Sequence, residues 1–559
     1  MNLSAIHRLA WRLAGAAMAP VRYRRWQNPY DAFRRLPGAE RLRDMPVSDK
    51  GKRILLLPLR VTSTSNLVEG VIGAGLRLDG HEVFALLDGG TLRYSDNATM
   101  GKSWQVANAL SVYEQDRFCK TFGVTPCYYA DLLDHRNVAR TLAEIAGGSG
   151  YDELLHSEYR GIPLGRHANS SVMRYLRQET VNSAENVDLL RQFIETALKT
   201  ALAVEAVVRS KRITHAFLSH GIYSTWGAAM DMLIQEGVQL GVWGRGYIGG
   251  NPIFGRNQSY LAEAIEETID DVRRNLAPYD VDNTFIDTYF AAKAKPGSGV
   301  DVVSYYDSSA QNAAASVADL RKGFEGVVSI FPNIPWDGTM FAASAYTRSL
   351  REFAGKVVLA AQQFPGLRFV VRCHPAERHR EGNNSRETFS SFFSEADRNI
   401  ANLTIIESGS TMSSYDLFPI TDAALIFGTS MGMELVMRDI PVIQTGKNEL
   451  VNKGVLFEPA SDTELFGLLA QVQTGTLALS QDMRANARDY AYYFVRLCHV
   501  QDDMIEIDRY RFVQYRFETV DSLKGDALPS CDAIKRFVLG EMDKCLNPYV
   551  ERRAALPGQ

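Results

Sequence analysis

Short apolar runs recur along the chain, each ending in small or polar residues, and stretches of helical periodicity separate most of them. The run at 52–59, Lys-Arg-Ile-Leu-Leu-Leu-Pro-Leu, reads as a first buried parallel strand. A Ser/Thr-rich turn at 61–66, a helix at 67–78 stopped by Gly80 and a second strand at 81–87 complete a strand–helix–strand unit. A long helical pattern at 186–210 leads into a strand at 216–221, a helix at 225–236 and a strand at 238–243. A second series has strand signals at 327–331, 369–372, 403–406, 423–427 and 441–445. Helices follow at 462–473 and 483–494, and the tail ends in a helical stretch at 532–544. Residues 113–158 read as helices with irregular connections. The pattern predicts an α/β chain with two largely parallel sheets.

At 559 residues the chain is too long for one ordinary core, and the break in pattern near 298–322 is the expected principal boundary. The expected organisation is an N-terminal arm at 1–50, one α/β lobe at 51–315, a second at 316–490, and C-terminal helices at 491–559. No Gly-x-Gly-x-x-Gly follows the first strand, so that loop is no dinucleotide fingerprint.

Composition narrows the setting. A 46% hydrophobic, 23% charged chain of net charge -4 is that of a globular protein with no general attraction for nucleic acid. Six scattered cysteines without metal-ligand spacing suit a reducing cytoplasm. No apolar run approaches the roughly 20 residues that span a bilayer. Residues 1–25 carry Arg8, Arg12, Arg22, Arg24 and Arg25 and no acidic residue. Arg8 and Arg12 interrupt any signal-peptide core, so export is not expected. Leu3, Ile6, Leu9, Ala10, Leu13 and Ala17 share one helical face. Such a basic amphipathic helix fits either an anionic membrane surface or the protein's own body. Further basic residues at Arg34, Arg35, Arg41 and Arg43 tilt the reading towards the membrane.

The densest chemistry lies at 369–447. One strand delivers Arg372, His374, Pro375 and Glu377 to its carboxyl end; another delivers Gly428, Thr429 and Ser430, with Glu434 four residues after Ser430. In an open parallel sheet, ligands bind beyond the carboxyl ends of strands, where helix N-termini present unpaired N–H groups to an anion. An imidazole, two hydroxyls, a helix start and a carboxylate make a nucleotide-phosphate site. Thr429 or Ser430 can also serve simply as a helix cap. Arg372, Lys447 and Lys453 are candidate partners for phosphate or an acidic sugar, and Asp416 either touches the nucleotide or caps a short helix.

The order His374-Pro375, a strand, Gly428-Thr429-Ser430-Met431-Gly432-Met433-Glu434, then Ile440-Pro441-Val442-Ile443 resembles the donor half of GT-B glycosyltransferases. It is most similar to bacterial capsule and surface-polysaccharide transferases of the Kdo-transferase and polysialyltransferase type. The resemblance runs over 327–459 and takes in Ile330-Phe331-Pro332-Asn333-Ile334-Pro335-Trp336-Asp337-Gly338. It implies two Rossmann-like lobes facing across a cleft, 51–315 on the acceptor side and 316–490 holding the donor, with C-terminal helices crossing back. It further implies a nucleotide-sugar donor, with CMP-linked acidic sugars favoured, a surface or capsular glycan acceptor, lipid-linked if the arm meets membrane, and His374 and Glu434 serving phosphate and ribose.

An inverting transfer also needs a group to take the acceptor proton. His220, ending a first-lobe strand, leads; Asp337 rivals it, and Asp88 is third. With no Asp-x-Asp at a strand end and no metal-ligand cluster, an obligatory metal or other cofactor is not expected. Two other readings stand beside this one: a CDP-polyol phosphotransferase of the teichoic-acid type, and a non-catalytic glycan-binding protein on the same fold. A non-hydrolysing nucleotide-sugar epimerase fits less well.

Overall fold

The computed structural model describes residues 3–22, 27–59, 63–95, 103–147, 150–295, 314–337, 339–378, 384–508 and 511–553. The first sheet holds β1 (Arg53–Leu56), β2 (Glu82–Leu87), β3 (Thr125–Tyr128), β4 (His215–Ser219), β5 (Gln239–Arg245) and β6 (Pro252–Arg256). Their spatial order is β3-β2-β1-β4-β5-β6, parallel except for β6. The second sheet holds β7 (Gly326–Pro332), β8 (Leu367–Arg372), β9 (Leu403–Ile406), β10 (Ala423–Phe427) and β11 (Val442–Gln444), all parallel, in the order β11-β10-β7-β8-β9. A hairpin, β12 (Ile505–Asp508) and β13 (Arg511–Tyr515), completes the strands among the described residues. Two Rossmann-like lobes thus face one another across a cleft, the GT-B arrangement that the resemblance implied.

Side-chain alternation explains why these runs read as unbroken apolar stretches. Ile54 and Leu56 enter one core of the first lobe, while Leu55 and Leu57 enter the other. In the second lobe, Ala424 and Ile426 enter one core and Ala423, Leu425 and Phe427 its opposite. Helices cover both faces, so every second residue is as apolar as the one before. The two unpredicted first-sheet strands lack this pattern because both lie at edges. Pro126 interrupts β3, while Pro252 opens β6 and Gly255 weakens it.

The chain exchanges material between lobes twice. Helices Ile269–Leu276 and Asn283–Lys293, which the sequence reading gave to the first lobe, bury Val272, Leu276, Ile286 and Phe290 in a core with second-sheet residues. Part of the segment 298–322 lies outside the described residues. Conversely, Val500, Met504, Phe512, Phe517, Ile534 and Phe537 complete a first-lobe core. The expected all-helical end at 491–559 is therefore corrected: it contains a hairpin as well as the helix Pro529–Val538, and both return to the first lobe. In the hairpin, Ile505 and Ile507 alternate with Glu506 and Asp508, and Phe512 is buried while Arg511 is exposed.

At the N-terminus, Leu3–Arg22 is helical and packs against Trp104–Phe122. The packed side is not the apolar stripe. Arg8 and Arg12 reach Asp131 (3.1 Å) and Asp116 (3.4 Å), and a Cβ on Gly15 would fall 2.1 Å from the Ala109 carbonyl oxygen. Ile6, Ala10, Leu13 and Ala17 remain exposed. Arg24 and Arg25 lie outside the described residues.

Candidate functional site

Strand order reverses between β1 and β4 in one sheet and between β7 and β10 in the other. Ligands of open α/β sheets bind at such switch points, beyond the carboxyl ends of the strands. Both open into one cleft of about 1320 Å³. His220 and Tyr223 line it from the first lobe; Asn333, His374, Gly428, Thr429 and Lys447 line it from the second.

His374 follows β8, and its Nδ1 accepts the Ala376 backbone N–H at 3.1 Å. That bond leaves the ring proton on Nε2. Burial, with the Arg372 guanidinium beside it, pushes the imidazole pKa down to about 4. His374 is therefore a neutral hydrogen-bond donor at neutral pH, not the cation that a protonated ring would provide.

Gly428 closes β10 with a left-handed φ of +64°, and a Cβ there would meet the Ala342 Cβ at 2.6 Å. Only glycine makes this turn without strain. It brings Thr429 and Ser430 into the cleft at the start of the helix Met431–Val436. Thr429 Oγ1 accepts the Met431 N–H at 3.3 Å, whereas Ser430, at the cap position, makes no capping bond. Asn448 Nδ2 fastens the turn by donating to the Thr429 carbonyl at 2.7 Å. Lys447 is exposed in the cleft, its backbone N–H donated to Ala342.

Glu434 also lines the cleft, but its carboxylate is engaged. Lys293 Nζ lies at 3.2 Å and the Tyr415 hydroxyl donates at 2.7 Å. Lys293 comes from a helix that precedes the second sheet in sequence, so no local motif announced it. Ser413-Ser414-Tyr415 meets the cleft as a unit, whereas Asp416 accepts the Ser413 N–H at 2.7 Å and belongs to a capping box. The nucleotide-contact reading of Asp416 is thus replaced by its capping role.

Three further expectations change. Arg372 borders the cleft but is buried, its guanidinium spent on the carbonyls of Met412 (2.9 Å), Cys373 (2.5 Å), Glu407 (3.1 Å) and Ser410 (3.4 Å). Its charge lowers the pKa of the neighbouring His374. Glu377 lies away from the cleft lining, fully buried; it accepts the Phe389 N–H at 2.8 Å, and desolvation lifts its pKa to about 7. Lys453, also buried, donates to the Ala264 carbonyl at 2.6 Å. Pro375 stays in the lining, directing the chain into a single 3₁₀ turn.

On the first-lobe wall, His220 and Tyr223 hold left-handed backbones, φ +62° and +72°. Non-glycine residues in this region gather where a fold holds a side chain against its backbone preference, often at functional sites. His220 Nδ1 is hydrogen-bonded to Ser219 Oγ, and the ring stacks on Trp226 at 5.5 Å. Asp337 is exposed on the cleft rim after β7. Asp88 is buried against Gln115 (2.5 Å) outside the lining, so it is no base. Arg174, Arg245, Tyr260 and Arg516 also line the cleft, unannounced by any motif; Arg516 follows the C-terminal hairpin. Among the described residues no group of three or more His, Cys, Asp or Glu side chains is placed to hold a metal.

The lobes are also tied by side chains. Residues 177–180, between two first-lobe helices, reach the second lobe. The Glu179 carboxylate accepts the Leu350 and Arg351 N–H groups at 2.8 and 2.9 Å, capping the helix Leu350–Gln363 from across the divide. Glu387 replies by accepting the Glu179 and Thr180 N–H groups at 2.9 and 2.8 Å, and Arg351 bonds both Glu387 and Thr180. Trp336 and Phe341 of the second lobe pack on the first-lobe core.

No protein-family model matches the chain, and neither does any curated protein. Solved structures do align with it. A β-Kdo 2,4 transferase, KpsC of Thermosulfurimonas dismutans, is 12% identical over 51% of this chain and 80% of its own, with a TM-score of 0.30. The UDP-GlcNAc 2-epimerase of Neisseria meningitidis, bound to UDP-GlcNAc, is 10% identical over 79% and 99%, with a TM-score of 0.26. An α,α-trehalose-6-phosphate synthase of Burkholderia multivorans is 9% identical over 88% and 99%, with a TM-score of 0.30. At these identities and scores the likenesses decide neither activity nor ligand.

Proposed function

We propose that the chain is a glycosyltransferase that moves a sugar from a nucleotide-sugar donor to a surface or capsular glycan. The observation that carries this reading is the meeting, in one cleft, of polar groups from the switch points of both sheets. The donor phosphate lies against His374 Nε2–H, the hydroxyls of Thr429 and Ser430, and Lys447. The nucleoside lies towards Tyr415 and the Lys293–Glu434 pair.

The acceptor enters from the first-lobe wall. Its hydroxyl oxygen attacks the anomeric carbon as the bond from that carbon to the phosphate oxygen breaks. The bonding pair leaves with the phosphate, and configuration inverts. The acceptor proton passes to His220 Nε2, with Ser219 fixing the ring through Nδ1; Asp337 is the second choice for this step. His374 donates to the leaving phosphate without becoming charged, and Lys447 supplies the positive charge.

The test is calorimetric titration with CMP, CDP, UDP, GDP and their sugar conjugates, comparing wild type with His374→Ala. One nucleotide that binds wild type and is weakened by the substitution supports the donor site and names the base. Absence of binding by any of them to folded protein sinks the reading. Once a donor is known, pH–rate profiles of His220→Asn and Asp337→Asn separate the two bases.

A further inference from the structure

The N-terminal helix presents the wrong face to water. Helices on protein surfaces ordinarily bury an apolar stripe and expose charge. Leu3–Arg22 does the reverse: Arg12 and Gly15 meet Asp116 and Ala109 of the helix Trp104–Phe122, Arg8 pairs with Asp131 just beyond it, and Ala19 is buried. On the opposite side Ile6 and Leu13 are 47% and 60% exposed, and Ala10, Ala14 and Ala17 are exposed with them. This outer face, about 16 Å long at the helical rise, carries no charge. Leaving it in water is unfavourable, and a partner surface would relieve that cost.

Charge points to the cover. Residues 1–25 hold five arginines and no acidic residue. A cavity of about 280 Å³ lies at the same end of the helix, beyond the carboxyl end of β2. His7, Arg8, His135, Lys199 and the Gly89–Gly90–Thr91 turn line it. Arg8 and Lys199 each face one carboxylate, Asp131 at 3.1 Å and Glu195 at 2.6 Å, and a phosphate entering the cavity would compete for them. An apolar ridge one helix wide, beside a basic cavity and basic flanks, matches the shallow seating of an interfacial helix on anionic lipid.

We infer that the helix Leu3–Arg22 docks on an anionic phospholipid surface. Ile6, Ala10, Leu13 and Ala17 enter the acyl boundary, and a headgroup phosphate settles at the cavity of His7, Arg8 and Lys199. This inference is independent of the transferase reading.

Flotation of the full chain with phosphatidylcholine vesicles, with and without roughly 30 mol% phosphatidylglycerol, tests it. Wild type should float with the anionic vesicles and scarcely with the neutral ones. Leu13→Glu should weaken that partition about tenfold or more, since a leucine seated in the acyl boundary is replaced by a charge. Its circular dichroism and melting should not change, because Leu13 is largely exposed. Arg8→Gln/Lys199→Gln should weaken the preference for anionic over neutral vesicles. Failure of wild type to float, or equal flotation of Leu13→Glu, overturns the inference. So does a wild-type dimer that Leu13→Glu dissociates in light scattering without any vesicle binding, because the stripe then belongs to a second copy.

Discussion

Replacing Glu179 by alanine removes the carboxylate that one lobe lends to a helix of the other. Two N–H groups, Leu350 and Arg351, lose their acceptor, while Ser349 still caps the Glu352 N–H. A lost helix cap costs about 0.5–2 kcal/mol, and bonds to a charged acceptor lie at or above the top of that range. Part is given back, because burial, with Glu387 nearby, lifts the Glu179 pKa to about 7 against the opposing pull of the two N–H groups and Arg351. A net loss of about 1–2 kcal/mol at neutral pH remains, shifting the ratio of tied to untied lobes about 5–30-fold. Hydrogen exchange at the Leu350 and Arg351 amides should accelerate by that factor, and small-angle scattering should show a larger radius of gyration. The pH sign is fixed as well. A carboxyl whose pKa is raised in the tied state favours that state fully below about 4.5 and loses the advantage as pH rises to about 7. Wild type should therefore be tied more tightly at pH 5.5 than at pH 8, and Glu179→Gln should flatten the difference. Unchanged exchange at both amides in Glu179→Ala, with unchanged scattering, would refute the tie.

Other expectations follow from single contacts. Because the His374 pKa is pushed down to about 4, nucleotide affinity should stay flat between pH 6 and 8 where the ligand itself does not titrate, and calorimetry showing a His374-dependent step near 6.5 would contradict the neutral donor. His374→Ala should weaken binding by about 1.5–3 kcal/mol, the usual contribution of one bond to a charged acceptor. Lys544 joins Glu263 and Glu267 (2.6 Å to the latter), both largely buried, so Lys544→Met should cost about 3 kcal/mol or more in urea unfolding. Phe537→Ala should cost about 3–5 kcal/mol, because its ring is 1% exposed against Gly241 and Phe254.

The sheets were legible because both faces of nearly every strand are covered, which leaves unbroken apolar runs such as 423–427. Two edge strands of the first sheet escaped: β3 and β6 contain prolines and a glycine that remove the signal, whereas the edges β9 and β11 of the second sheet kept it. At the candidate site, the residues read directly from strand ends, His374, Gly428, Thr429 and Ser430, do reach the cleft. Arg372 and Glu377 turn away from the ligand role expected of them, and Asp416 takes the capping alternative, because sequence shows that a charged side chain is near a strand end, not which way it turns. Each is consumed by backbone groups that a loop would otherwise leave unpaired. Lys293, Arg174 and Arg516 come from distant segments, and only the fold brings them to the cleft. The N-terminal stripe was visible, but its outward orientation depends on Asp116 and Asp131, more than a hundred residues away.

The return of the last residues to the first lobe has a consequence in time. The face of β4 and β5 that Phe537 covers is complete once Arg245 has been made, yet its lid lies near the end of the chain. At about 5–20 residues per second, a ribosome needs roughly 15–60 s to cover that interval. Throughout it, Phe217, Trp243 and Phe254 stand without their partner. The nascent first lobe must wait, half finished and sticky, while the second is synthesised, and a message cut short before Pro529 yields a protein that never closes its first sheet.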